Sequence, residues 1–262
     1  MGFNEAQFQA AVDQINSGLR ELGNKINEIP AAANAALNNW YIPGFVKDAI
    51  VWLAETLTDL ARSIMNKIIE VMKGVAAPVY FFRYAFDWQD IRGLANGVGG
   101  QLNPAVLTAT QTWTGSASTA YGRIIAPQGA AANKIASISD KTATALQICA
   151  AAGLAFYVAI GAILVKFIAA MVTAIAAFGS AVFSWAGAAL IVEEAGVNSG
   201  LIWAAIGALT AALGVQAQQM ISLHGEAIDN STFPGGHWPD PTTRLYNDGT
   251  VTDGDADWSL AR

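Results

Sequence analysis

The sequence predicts an all-α protein: an elongated helical bundle with one helical hairpin turning at a Trp-x-Gly motif and a second, apolar helical hairpin. Three observations predict it. Apolar side chains recur at spacings of three and four through the first third of the chain. Between Thr142 and Gly225 the only charged side chains are Lys166, Glu193 and Glu194. Finally, 53% of the 262 residues are apolar and 13% are charged, where an average soluble domain carries roughly 25% charged residues. A chain this apolar offsets its conformational entropy by burial, so disorder is excluded as its main state.

Asn4 to Ile29 reads as an amphipathic helix, with Phe8, Val12, Ile15, Leu19, Leu22 and Ile26 on one face and charged residues between them. Pro30 is expected to end it, because proline lacks the N–H a helix interior needs. Trp40 to Gly44 reads as an aromatic turn. A second helix is expected from about Phe45 to Lys73, burying Ile50, Leu53, Leu57, Leu60, Ile64, Ile68, Val71 and Met72, with Gly74 as its C-cap. Val79 to Phe82 has strand propensity, but one apolar quartet between helices favours a helical or irregular connector after Pro78. Gly97, Gly99 and Gly100 predict a flexible loop or a broken helix from Gly93 to Pro104, and Asn103-Pro104 reads as a helix start.

A mixed helix follows Trp113 to about Ala145, with Pro127 as a candidate kink. The uncharged region then holds runs of 24 residues (142–165), 26 residues (167–192) and 31 residues (195–225). About 20 apolar residues cross a hydrocarbon core of roughly 30 Å, so each run is long enough. Its Ala, Gly, Ser and Thr are as frequent as its Leu, Ile, Val and Phe, which suits close helix packing in soluble bundles and membranes alike. A bend is expected near Lys166 or Gly179, and a turn from Glu193 to Gly200. That makes 167–192 and 200–223 an apolar hairpin with Glu193 and Glu194 at its tip, and Lys166, Trp185 and Trp203 as its membrane or partner contacts. Four segments result: amphipathic helices over 1–86, the Trp-x-Gly hairpin over 87–141, the apolar region over 142–228, and an acidic Gly/Pro-rich tail over 229–262.

Chemistry is sparse. His224 and His237 are 13 apart with no cysteine near, short of the three or four ligands a zinc site needs. Glu193 and Glu194 diverge by roughly 100° on a helix, which is poor for shared acid–base work. Asp253, Asp255 and Asp257 alternate like calcium-loop ligands, but the glycine and the closing glutamate of such a loop are missing. Cys149 lies among apolar residues and reads as a small core residue. No phosphate loop, nucleophile elbow or dinucleotide fingerprint appears. Residues 1–166 carry 12 basic against 11 acidic side chains and residues 167–262 carry 2 against 9, so nucleic-acid binding has no electrostatic support. The expectation is a non-enzymatic chain with no catalytic, cofactor or metal site. The start lacks a basic segment followed by an apolar run, so no cleavable secretory signal is expected there.

At Trp113-Thr114-Gly115 a reversing helix gains a residue tolerant of unusual backbone angles, and the indole beside it can lie across both arms. Ala117, Ala120, Tyr121 and Ile124 then share one face. This Trp-x-Gly-x-Ala-x-x-Ala-Tyr run resembles the WXG family of type VII (ESX-type) secretion substrates of actinobacteria and related Gram-positive bacteria, with Trp113, Gly115, Ala117 and Tyr121 at the motif positions. The resemblance covers about residues 87–150, and the layout is similar to longer actinobacterial forms with an apolar region after the motif. It implies a helical protein exported folded by a route independent of a signal peptide, secreted or associated with the cell envelope, and without catalysis. Implied partners are a WXG-type protein, the secretion machinery or a second copy; a lipid bilayer is the partner expected of 145–223. Two features depart from the family pattern. Its members carry an unbroken helix before the Trp, where this chain has Gly97, Gly99, Gly100 and Pro104. The family's Tyr-x-x-x-Asp/Glu export signal is also absent: Tyr41, Tyr80, Tyr84, Tyr121, Tyr157 and Tyr246 are followed at the fourth place by Phe, Tyr, Trp, Ile, Gly and Thr. Export would then depend on a partner that carries the signal. The alternative expectation is a constitutive integral membrane protein with two to four helical spans, with Lys134 and Lys141 on the cytoplasmic side.

Overall fold

Helices make up most of the described residues, and the first two follow the spacing of three and four in the sequence. The computed structural model describes residues 2–38, 43–178, 185–240 and 258–260. Six helices are described: α1 (Glu5–Leu37), α2 (Gly44–Met72), α3 (Ala77–Gln101), α4 (Thr108–Thr112), α5 (Ser116–Phe178) and α6 (Trp185–Ala227). Two three-residue strands, β1 (Trp113–Gly115) and β2 (Trp258–Leu260), pair antiparallel. The fold class is all-α, as the sequence predicts. The chain forms two compact units, residues 1–81 with 148–214 and residues 82–147 with 215–262.

The first unit is built on α1, α2 and the 148–178 part of α5. Asn4 caps α1, its Oδ1 accepting from the Gln7 N–H at 2.8 Å. Phe8, Val12, Ile15, Leu22 and Ile26 of α1 and Ile50, Leu53, Leu57, Ile64 and Ile68 of α2 are buried where the periodicity puts them. Leu19, Leu60, Val71 and Met72 are partly buried against the same cluster. Leu154, Ile160, Leu164, Phe167 and Met171 of α5 complete it. Phe8 meets Tyr157 edge-on at 5.5 Å between ring centroids, and the Tyr157 hydroxyl donates to the Val71 carbonyl at 3.1 Å. Gly18 lets α1 and α5 approach closely: a Cβ there would stand 2.7 Å from Leu164 Cδ2. Gly153 does the same for the Pro78 ring.

In the second unit α3 and α5 run antiparallel. Gln89 Nε2 donates to Asp140 Oδ1 at 3.3 Å, Arg92 pairs with the same carboxylate at 3.2 Å, Gly99 lies against Asn133 and Gly129 against Leu102. Each of these pairs is centred on positions 114–116 of the chain, where β1 ends.

Several boundaries differ from expectation. Pro30 does not end α1, which continues to Leu37. Ala33 and Ala36 carry the buried face onward, so packing offsets the roughly 3 kcal/mol a proline costs a helix interior. Lys73, in the right-handed helical region, caps α2 rather than Gly74. Val79 to Phe82 is helical, in line with the expected helical or irregular connector. The segment with Gly97, Gly99 and Gly100 is helix too, and Gly99 serves close approach to Asn133 there. Asn103-Pro104 starts no helix: Asn103 Oδ1 accepts from the Ala105 N–H at 3.0 Å, a local turn that competes with helix formation. α5 passes Pro127 and Lys166 unbroken, while Gly179 and residues 40–42 lie outside the described residues.

The expected turn at Glu193–Gly200 lies inside α6. Each of its Asn, Ser and Gly residues costs a helix at most about 1 kcal/mol, whereas a break would leave terminal backbone groups without partners in an apolar run. Glu193 and Glu194 are therefore helical residues and not a hairpin tip.

Candidate partner and membrane surfaces

The elbow at Trp113–Gly115 forms because the backbone needs an angle that only glycine adopts cheaply. Gly115 has φ 105°, in the region where an L side chain is strained. The turn is tied on both sides. The Ser118 hydroxyl donates to the Trp113 carbonyl at 2.7 Å, and the Thr119 hydroxyl donates to the Gly115 carbonyl at 3.2 Å. β2 adds a backbone ladder in which Trp113 faces Leu260, Thr114 faces Ser259 and Gly115 faces Trp258.

Trp113 and Tyr121 are brought together: both are half-buried, with ring centroids 5.7 Å apart and planes tilted by 49°. The Trp113 Nε1 is buried and has no hydrogen-bond partner. Ala117 lies in the first turn of α5; its side chain falls outside the described residues.

The apolar region divides into two helices of different character. Both α5 and α6 contain a stretch long and apolar enough to cross a membrane by length and composition. The most apolar window of α5 is 44% buried inside the protein, and that of α6 is 11% buried. In α5, Ile160, Leu164 and Phe167 are enclosed by the first unit's core, and Lys166 is exposed beside them. In α6, Ile202 is buried while Leu201, Trp203, Leu213, Val215, Met220 and Ile221 are exposed. Trp203 carries the Lys67 ammonium 4.5 Å from its ring centroid, and Lys67 also pairs with Glu70 at 3.1 Å. Glu193 is exposed; the side chains of Trp185 and Glu194 fall outside the described residues.

One feature escapes a reading of the sequence in segments. Within the second unit, Glu226 near the end of α6 lies between Lys141, to which it is hydrogen-bonded, and Lys134 at 3.6 Å. Asp229 also meets Lys134, at 3.7 Å. The bond from Lys141, with the charges of both lysines, holds the Glu226 carboxyl below its ordinary range. Asp229 is lowered first by hydrogen bonds from Ser231, with Lys134 adding to them. Lys134 and Lys141 share one face of α5, two helical turns apart, while Asp229 lies just past the end of α6.

His224 sits in the last turn of α6, and His237 follows the short 3-10 turn Pro234–Gly236. Among the described residues no group of three or more His, Cys, Asp or Glu is arranged to hold a metal; Asp253, Asp255 and Asp257 lie outside them. Cys149 is half-buried and unpaired. No family model matches the chain, and no curated protein or solved structure matches it either.

Proposed function

We propose that this chain is a non-enzymatic, WXG-like substrate or effector component of a type VII secretion pathway, engaging membranes through the region 145–223. The supporting observation is the helical reversal at Trp113–Gly115, with α3 and α5 paired about it and Trp113 packed on Tyr121. In this reading the hairpin is a recognition module, offering two helices and an aromatic elbow to a WXG-type partner or to the export machinery. The apolar region 145–223 supplies the membrane step, and the chain works by binding and insertion instead of bond chemistry.

Fractionation of the producing cells tests the reading. The protein is expected in the medium or the cell envelope when the secretion system works, and in the cytoplasm when its motor is disabled. Equal distribution in both strains would overturn it.

A second reading, an integral membrane protein inserted during synthesis, draws support from the two apolar stretches. Expression without detergent separates the two. A compact helical species recovered in the soluble fraction counts against this second reading.

A further inference from the structure

We infer that the α6 run from Ala195 to Leu223 is the segment that enters lipid, and that the apolar run of α5 stays within the protein. This deepens the membrane part of the function proposed above and rests on it. From Ala195 to Gly225 the chain holds 31 residues without a charge, bracketed by Glu193 and Glu194 before and Glu226 after. About 20 residues span the hydrocarbon, so the bracketed length suffices with residues to spare. The α5 run is instead interrupted by the exposed Lys166, a charge that lipid would have to accommodate.

The distribution of exposed apolar side chains identifies lipid as the occupant. At roughly 100° per residue, Leu201, Trp203, Leu213 and Val215 spread over about two-thirds of the circumference of α6, and Ile202, Ala205, Ile206 and Leu209 form the remaining stripe against the first unit's core. A docked partner helix covers one stripe, read at spacings of three and four. An exposed apolar arc this wide, running to Val215 before the exposed Gln218 and Gln219, suits a lipid surface better than one docked helix, and only 11% of the apolar window is buried inside the protein. On α5 the exposed large apolar side chains Val158, Val165 and Val172 stack seven apart in one line, with the small exposed Ala155, Ala162 and Ala169 beside them and core side chains on the opposite face.

The test uses the full chain with its one cysteine removed by Cys149→Ala, and a new cysteine introduced by Leu213→Cys in α6 or Val158→Cys in α5. Each is labelled with an environment-sensitive fluorophore and mixed with phosphatidylcholine–phosphatidylglycerol vesicles carrying nitroxide lipids. Circular dichroism checks the fold of each variant, and Val215→Cys replaces Leu213→Cys if that variant is not helical. The expected result is a several-fold rise in emission for the α6 label, quenched by the nitroxides, with no change for the α5 label. Quenching of both labels, or of the α5 label alone, overturns the inference while leaving the membrane reading standing. Vesicle flotation with neither label quenched overturns it in the same way. Neither flotation nor quenching removes the membrane reading together with the inference. A concentration-dependent rise at the α6 label without vesicles marks self-association as the occupant and overturns the inference too.

Discussion

Replacing Gly115 by alanine tests the elbow at its most constrained point. At φ 105° a Cβ places the residue in a backbone region that costs an L amino acid about 1–3 kcal/mol. Gly122, one helical face further on, provides a control of opposite sign. It lies inside α5, and a Cβ there would meet nothing within 4 Å. Gly122→Ala should therefore stabilise by about 0.5–1 kcal/mol, since glycine weakens a helix interior by that amount. Both positions lie in the same unit, so one unfolding transition reports both. The two variants should differ by about 1.5–4 kcal/mol. With a urea slope of about 2–3 kcal/mol/M their midpoints separate by about 0.5–2 M. Urea unfolding followed by circular dichroism reads this directly. If Gly115→Ala is as stable as Gly122→Ala, the positive φ is not required and the elbow argument fails.

Phe167→Ala removes a fully buried ring from the first unit's core and should cost about 3–5 kcal/mol in denaturant unfolding. Val158→Ala, on the exposed line of α5, should stay within about 0.5 kcal/mol of the parent, and equal losses would misplace the core. The Glu226 clasp should be lost in acid. A carboxyl whose folded pKa is lowered stabilises fully above its unfolded pKa, about 4.3, and that contribution disappears as the pH falls through the lower folded value. Glu226→Gln should therefore lower the melting temperature near pH 7, and the gap to the parent should close as the pH falls through the lowered titration of this carboxyl. A gap that persists unchanged in acid would rule out an ionic origin.

What could be read from the sequence was whatever depends on neighbours along the chain. The buried faces of α1 and α2 follow from spacing alone, because a helix folds residues three and four apart onto one side whatever packs there. The elbow was legible for a similar reason, as Gly115 supplies a backbone angle that few other residues reach. Helix ends were less legible. Pro30, the Gly97–Gly100 cluster and Glu193–Gly200 carry breaker residues, yet each sits inside a helix. The local cost is a few kcal/mol at most, and where Ala33, Ala36 and Gly99 are packed it is outweighed by burial. The clasp between Lys141 and Glu226 joins residues 85 apart, and no local pattern announces such a pairing.

The sequence by itself determined an all-helical chain whose charge deficit lies between Thr142 and Gly225. It could not assign that deficit to core or to surface, because α5 and α6 draw on the same small and apolar residues. Tertiary structure decided this. The α5 run is surrounded by α1 and α2, so Ile160, Leu164 and Phe167 find partners, whereas α6 buries Ile202 and Leu223 and leaves Leu201, Trp203, Leu213 and Val215 exposed. Burial belongs to what surrounds a residue, and two stretches of like composition part ways when only one of them is enclosed.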